Sequence, residues 1–245
     1  MRRRFFVQEV RSGKAEITGD DARHLTRVLR VEPGQRYEIS DNRSVYLAEV
    51  ETARKEHVVF RTIEKFAPQP KTIEVVLCAA LFKFDHFEWM IEKATELGVS
   101  EIVPVEAVRS DKGLDKAAPK RLERWRRIAL EASQQSRRSH LPVVAEPVAF
   151  EEILGREFSF RFALDECRGK PLAGALPADR NATERVAVLV GPEGGWTEEE
   201  RAAFLHAGWG QITLGPLILR AETAALAALA VIQSGWLVVP DTLEH

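Results

Sequence analysis

Apolar and polar residues alternate along short runs in the first seventy positions of the chain. The runs are RRFFV, KAEIT, QRYEIS, SVYLAEV and EHVVFRTIE, and turn residues such as Pro33-Gly34 and Asp41-Asn42 separate them. A period of two between turn residues predicts β-strands. One stretch, HLTRVLR, carries apolar residues at helical spacing, and we take Asp20 or Asp21 as the cap of that helix. Residues 1–70 are therefore predicted to form a small β-barrel with one helix, followed by a linker at 67–71.

The pattern changes at residue 73. The run IEVVLCAAL at 73–81 is a continuous apolar run apart from Glu74, which is typical of a strand covered on both faces. A helical stripe ending near Gly98 follows, and strands then alternate with helices to the C-terminus. This order predicts a parallel α/β domain over residues 73–242. Because ligands of such sheets bind at the carboxyl ends of strands, we expect the site at the loops after Leu164, Val190 and Leu214.

Composition narrows the class of protein. The chain has 245 residues, of which 45% are hydrophobic and 29% are charged. No apolar run approaches the roughly 18 residues needed to span a membrane. Six scattered histidines and two distant cysteines, Cys78 and Cys167, match no metal or redox spacing. We expect a cytoplasmic protein with reduced thiols, no metal site and no membrane segment.

Charge is divided unevenly along the chain. Residues 1–140 hold 27 Lys/Arg against 22 Asp/Glu, a net of +5, and residues 141–245 hold 8 against 15, a net of −7. The excess of basic residues in residues 1–140 favours contact of that part with a polyanion such as RNA. The alternative is that the uneven charge is random variation of the surface without function.

The segment LVGPEGGWTEEE (189–200) predicts a strand end, a glycine loop and a helix start. Thr197 followed by Glu200 fits a capping box, whose helix would direct amides towards the glycines. The loop matches neither phosphate-binding pattern, and Glu193 would repel a phosphate. A ligand that is neutral or cationic near this loop fits it better, the alternative being glycines that serve only a tight turn.

A second loop repeats this design at LGPLILRAETAAL (214–226). It places Arg220 and Glu222 at the start of an alanine-rich helix, where they would face the same ligand. A surface ion pair between the two residues is the structural alternative.

Three segments together resemble the RsmE-type ribosomal RNA methyltransferases of the SPOUT superfamily. They are GPEGG before a helix, LGxxILRxETA near the C-terminus, and FEWMIEKATELGVSEIVP at 87–104, and DARHLTRVLRVEPG at 21–34 is similar to that family's N-terminal domain. The resemblance implies a PUA-like RNA-binding barrel and a SPOUT sheet with a C-terminal trefoil knot around S-adenosylmethionine. It also implies a homodimer that methylates N3 of a uridine in 16S rRNA of the small ribosomal subunit.

Site residues carried over from the family fall into three groups. The cofactor would contact Leu164, Leu189, Gly191, Pro192, Glu193, Gly194, Gly195, Leu214, Gly215, Leu219, Thr223 and Ala224. The RNA would contact Arg27, Arg30, Lys83 and Arg138. Arg220 and Glu222 would be catalytic, and Arg220 would stabilise negative charge on the uracil oxygens. Glu222 would take the N3 proton, or it would orient Arg220 or the cofactor and leave the proton to solvent.

The sequence departs from the family's pattern near the RNA pocket. Leu217 stands where a second arginine is common, and Phe84 where glycine is common. The family's EQxGR becomes Gln134-Gln135-Ser136-Arg137-Arg138, with Arg137 at the glycine position. These changes leave the cofactor site intact and bear on the geometry of RNA binding.

Two further features suggest contact with RNA. The predicted helix around 119–137 carries Arg121, Arg124 and Arg127 beside its apolar stripe, which indicates either a basic ridge for rRNA phosphates or a solvated face. Among the five tryptophans, Trp196 is the candidate for stacking on a base, and core packing is expected for most of the others.

Two other functions are compatible with parts of the sequence. One is a catalytically weak RNA-binding ribosome-assembly factor of the same fold, which the retained GPEGG and ILRAET segments oppose. The other is a nicotinamide-dependent oxidoreductase, which requires GxGxxG after the first strand of the α/β domain, where this chain has LFKFDHF.

Overall fold

The computed structural model describes residues 3–68, 72–166 and 168–237. It separates into two compact units, one of residues 1–70 with 130–141 and one of residues 71–129 with 142–245. The sequence does not anticipate that residues 130–141 pack with the first unit. None of the described helices is long and apolar enough to cross a membrane.

The first unit is a curled five-stranded sheet with one helix. Its strands follow the order β1-β3-β4-β5-β2, with the β1–β3 pair parallel and the others antiparallel. The elements are β1 (Arg4–Phe6), β2 (Lys14–Thr18), α1 (Gly19–Arg27), β3 (Arg36–Ser40), β4 (Val45–Arg54) and β5 (His57–Lys65). Strand β2 buries Ala15 and Ile17 and exposes their neighbours, as the period of two predicts. The predicted cap of α1 is wrong, because Thr18 is the N-cap and both aspartates lie in the first turn.

A buried ion-pair cluster joins the C-terminal segment of this unit to its sheet. Arg4 contacts Glu38 through Nη2 at 2.7 Å and Nε at 3.1 Å, and both side chains are buried. Arg137 pairs with the second oxygen of Glu38, and its carbonyl accepts from Arg4. Arg137 has φ +57°, so it keeps the left-handed backbone that a glycine adopts most readily.

The second unit is a fully parallel sheet with helices on both faces. The strand order is β11-β13-β10-β12-β6-β7-β8, and β9 also pairs with β7. The strands are β6 (Glu74–Ala80), β7 (Glu101–Glu106), β8 (Val143–Val144), β9 (Val148–Ala149), β10 (Phe160–Leu164), β11 (Lys170–Pro171), β12 (Arg185–Val190) and β13 (Gly210–Thr213). The helices are α2 (Phe84–Glu96), α3 (Leu114–Ala117), α4 (Leu122–Gln135), α5 (Phe150–Leu154), α6 (Leu172–Ala175), α7 (Glu198–His206) and α8 (Ala221–Trp236). The last residues of α4 belong to the first unit.

Strand β6 shows why its sequence is apolar from Val75 to Ala80. Val75 and Leu77 pack into one hydrophobic core with α2 and α8, and Val76 and Cys78 pack into a second core with α5 and α7. The prediction of a strand buried on both faces is confirmed. Cys78 is a free thiol whose pKa is raised by burial, and Cys167 lies outside the described residues.

Candidate functional site

Three neighbouring strand ends form the candidate site. Strands β12, β10 and β13 are adjacent and parallel, so the loops after Leu164, Val190 and Thr213 emerge at one edge of the sheet. They surround a cavity of about 540 Å³, a size typical of small-molecule sites. The walls include Lys83, His86, Leu164, Asp165, Glu166, Val190, Gly191, Pro192, Glu193, Gly195, Trp196, Thr213, Leu214, Leu217, Ile218, Leu219, Arg220, Ala221 and Ala224. These are the three loops that the sequence indicates.

The glycines after β12 are required by close packing. A Cβ atom on Gly191 would lie 3.0 Å from Cε2 of Trp196. Gly195 has φ +67°, and a Cβ atom there would lie 3.0 Å from a carboxylate oxygen of Glu166. A side chain at position 191 would press on the buried ring of Trp196, and one at position 195 would strain the left-handed backbone, so glycine suits both positions.

The start of α7 carries the predicted capping box. Thr197 Oγ1 accepts a hydrogen bond from the backbone N–H of Glu200 at 3.1 Å, and Glu200 Oε2 accepts from the N–H of Thr197 at 2.8 Å. The other oxygen of Glu200 accepts from the N–H of Val108 at 2.9 Å. These amides are therefore occupied within the protein, and the carboxylate of Glu200 also fixes the loop after β7.

Trp196 connects two walls of the cavity. Its indole is 2% exposed, and Nε1 donates to the carbonyl oxygen of Leu164 at 2.9 Å. Its ring packs against Phe150 at a centroid distance of 5.5 Å. Burial of the ring favours core packing over the stacking on a base that the sequence suggested for Trp196.

An internal ion pair fixes the loop after β10. The buried carboxylate of Asp165 accepts from Nε of Arg201 at 2.6 Å, and Arg201 Nη1 donates to the carbonyl of Trp196 at 2.7 Å. The hydrogen bond with Asp165 raises the pKa of Arg201. The loop after β10 is thereby held to the start of α7.

Arg220 and Glu222 occupy different environments at the start of α8. Arg220 is the N-cap residue, lines the cavity and is exposed, and no side chain in the described ranges pairs with it. Glu222 is 5% exposed, and its Oε1 lies 2.8 Å from Nδ1 of His86. Its Oε2 is buried and has no hydrogen-bond donor among the described residues. Glu222 therefore pairs with His86 and not with Arg220.

His86 is one of the cavity residues that the sequence analysis missed. It lies in the first turn of α2, just beyond the carboxyl end of β6, and its side chain is 31% exposed. The hydrogen bond with Glu222 is the main cause of its raised pKa. Inspection of the loop after β6, the strand beside β12, would have identified it by the same strand-end rule that located the other loops.

The remaining residues carried over from the family lie in several places. Leu189 is buried in the second core, Gly194 accepts from Arg109 through its carbonyl, Gly215 has φ +135°, and Thr223 is exposed. These four residues do not line the cavity, whereas the other eight assigned to the cofactor do.

The basic residues assigned to RNA are divided between the two units. Lys83 is exposed and lines the cavity. Arg27 and Arg30 are exposed in the first unit, at and beyond the end of α1. Arg138 is partly buried in the same unit, and burial lowers its pKa to about 10. Arg121, just before α4, and Arg124 on α4 both pair with Glu88, which favours a solvated face over a ridge of free cations.

The cavity fits S-adenosylmethionine, the cofactor implied by the resemblance. Apolar side chains of Leu164, Leu214 and Leu219 suit an adenosine, and the glycine loop admits close contact with backbone atoms. The carboxylates of Glu166 and Glu193 suit a cationic sulfonium or amino group and oppose a phosphate. No cluster of potential metal ligands occurs among the described residues.

The fold and site define a parallel α/β enzyme domain with a nucleoside-type cofactor cavity, accompanied by a small β unit. An RNA methyltransferase domain matches residues 69–233, and an RNA methyltransferase PUA domain matches residues 17–63. The chain belongs to this family of RNA methyltransferases.

Individual relatives agree with this assignment. The ribosomal RNA small subunit methyltransferase E of Bacillus subtilis is 34% identical, covering 88% of each chain. The Synechocystis protein of the same name is 32% identical, covering 93% of this chain and 75% of the relative. A crystal structure of the enzyme of that name from Neisseria gonorrhoeae, bound to S-adenosyl methionine, has a TM-score of 0.86 and 30% identity and covers 96% of this chain and 98% of the other.

Proposed function

We propose that this protein transfers a methyl group from S-adenosylmethionine to N3 of a uridine in 16S rRNA of the small ribosomal subunit. The observation that carries the proposal is the cavity at three adjacent strand ends, which brings Arg220 close to the His86–Glu222 pair. Relatives that match nearly the full chain are small-subunit rRNA methyltransferases. An assembly factor without activity would have no need of this arrangement.

The chain's own residues would divide the work as follows. Leu164, Gly191 and Leu214 would bind the cofactor with the other cavity residues named from the family, and the cofactor when bound supplies an electrophilic methyl group. Arg220 would hold the negative charge that develops on the uracil oxygens. Its guanidinium stays protonated, and this residue lines the cavity without a side-chain partner in the described ranges. Glu222 is the second catalytic residue, acting through the pair that it forms with His86.

Substrate binding would involve both units. We assign RNA recognition to the PUA-like domain over residues 1–70 and catalysis to the SPOUT domain over residues 73–242. Arg27, Arg30 and Arg138 would contact the backbone of the RNA, and Lys83 would contact it at the cavity. The net charge of +5 over residues 1–140 supports this division.

Assembly as a homodimer in the cytoplasm, with the C-terminal chain knotted around the cofactor, completes the proposal. Leu217 and Ile218 support a partner at the rim of the cavity, because they are 76% and 79% exposed. The adjacency of β12, β10 and β13 around one cavity supports the knot, since a knotted cofactor loop requires these three strand ends to meet.

Transfer of a tritiated methyl group from S-adenosylmethionine tests the function. Purified protein should label 16S rRNA or 30S subunits isolated from cells that lack the enzyme. The Arg220→Ala variant should lose labelling while keeping its calorimetric affinity for the cofactor, and Arg156→Ala, which removes a pair with Glu152 before β10, should retain it. Unchanged labelling by Arg220→Ala would remove the role given to this residue.

A further inference from the structure

His86 and Glu222 meet at the cavity although 136 positions separate them in the sequence. Helices α2 and α8 pack in the same hydrophobic core, and Gln233 of α8 donates to the carbonyl of Gly98 beyond the end of α2 at 3.1 Å. The starts of the two helices are fixed by this packing. The distance of 2.8 Å between Nδ1 and Oε1 is therefore set by the fold and not by two mobile surface side chains.

The pair determines which nitrogen of His86 is free. A carboxylate oxygen only accepts, so Nδ1 donates its hydrogen to Glu222. The neutral imidazole then carries its lone pair on Nε2. The nearest acidic group to Nε2 is Asp85, 3.7 Å away and 78% exposed, which is too far for a hydrogen bond.

Other ionisable groups of the cavity are poorly suited to accept a proton near neutral pH. Lys83 and Arg220 are cationic side chains that only donate hydrogen bonds, and the carboxylates of Glu166 and Glu193 suit the cationic groups of the cofactor. A general base works best when its pKa lies near the operating pH, which among these side chains is the property of histidine.

We propose that His86, oriented by Glu222, accepts the proton that leaves the target nitrogen during methyl transfer. The inference rests on the proposed function, whose account leaves the proton acceptor open. The N–H bond of the substrate breaks, its electron pair stays on nitrogen and forms the new bond to the methyl carbon, and the methyl–sulfur bond breaks with its electrons left on sulfur. The proton is on Nε2 at the end of the step, and the imidazolium is paired with Glu222.

The charged groups around His86 support this role. The hydrogen bond to Glu222 raises the pKa of the imidazole, the nearby Asp85 adds to that effect, and Arg220 opposes it. A raised pKa makes the imidazole a stronger base for a nitrogen acid. It also means that the site becomes competent as the pH rises through that pKa.

The pH dependence of single-turnover methylation tests the proposal. The wild-type rate should rise with pH and level off at the pKa that NMR titration gives for the His86 imidazole of the same protein. His86→Asn keeps a donor for Glu222 but has no base, so its rate should fall about 100-fold or more and should rise with pH without a plateau. Its calorimetric affinity for S-adenosylmethionine should stay within about twofold, because the hydrogen bond to Glu222 is kept.

Two further variants separate base catalysis from positioning. Glu222→Gln should move the plateau to lower pH, because the anion that raises the pKa is gone. His206→Asn, an exposed histidine at the end of α7, should match the wild type. A wild-type plateau that differs from the NMR pKa, or a plateau retained in His86→Asn, would overturn the inference. Absence of any methylation by the wild type would instead reject the proposed function.

Discussion

The hydrogen bond from Trp196 to Leu164 predicts a difference between two tryptophan substitutions. Trp196 and Trp209 are both 2% exposed and belong to the same hydrophobic core. Trp196 Nε1 donates to the carbonyl of Leu164, whereas Nε1 of Trp209 is buried without a partner in the described part of the chain. Replacement of each by phenylalanine removes the same atoms but only one hydrogen bond.

The expected difference in the free energy of unfolding follows from comparing these two variants. Loss of the five-membered ring leaves a small cavity in both variants, which costs on the order of 1–2 kcal/mol. Trp196→Phe also leaves the buried carbonyl of Leu164 unpaired, a penalty of about 1–3 kcal/mol. We expect the free energy of unfolding to fall by that much more in Trp196→Phe than in Trp209→Phe.

Cofactor binding should separate the variants in the same way. The hydrogen bond from Trp196 to Leu164 holds the loop after β10 against the loop after β12. Without this bond, one wall of the cavity becomes ordered only when the cofactor binds. If that ordering costs about 1–3 kcal/mol, affinity for S-adenosylmethionine falls roughly 5- to 150-fold. Trp209→Phe should bind like the wild type. Urea unfolding followed by circular dichroism and titration calorimetry measure the two effects.

Equal losses of stability in the two variants would refute this reasoning, because they would show that the hydrogen bond adds nothing to packing. Wild-type cofactor affinity in Trp196→Phe would separately refute the role of the bond in shaping the cavity.

Three other predictions concern the rest of the molecule. Glu38→Gln should lower the stability of the first unit by about 3–5 kcal/mol in urea unfolding, because it leaves the guanidinium of Arg4 buried without its carboxylate. The control Glu49→Gln should cost about 1 kcal/mol or less, because both arginine partners of Glu49 are 53% exposed. Equal costs would contradict the role of burial. Because the pKa of His86 is raised in the folded protein, its protonation stabilises the fold at pH values below the ordinary histidine pKa of 6.5, and this contribution is lost as the pH rises through the folded pKa. The melting temperatures of the wild type and His86→Asn should therefore converge with rising pH. A difference that stays constant would contradict this linkage. Joint replacement of Arg27 and Arg30 by alanine should lower the slope of log affinity for RNA against log salt concentration by about 2. The control Arg36→Ala, which removes a pair with Glu49, should leave that slope unchanged. An unaltered slope in the double variant would remove Arg27 and Arg30 from the RNA interface.

The features that the sequence predicts correctly depend on short stretches of chain. The apolar run at 73–81 indicates a strand with two covered faces, because its residues from Val75 onwards alternate between two cores. The capping box of Thr197 and Glu200 is complete within four residues. The strand-end rule then locates the cavity, since parallel order alone brings the loops together.

The features that the sequence does not predict depend on contacts between distant segments of the chain. The partner of Trp196 lies 32 residues earlier, and burial of the ring follows from how α7 packs on the sheet, which no local pattern contains. His86 reads as an isolated polar residue until α8 places Glu222 against it. The Arg137–Glu38 pair likewise joins positions 99 residues apart.

Mapping of methyl groups on 16S rRNA by mass spectrometry tests the central claim most directly. RNA from cells that lack the protein should miss one methyl group on N3 of a single uridine. The group should return with the wild-type chain and stay absent with Arg220→Ala. Identical methylation in cells with and without the protein would contradict the account.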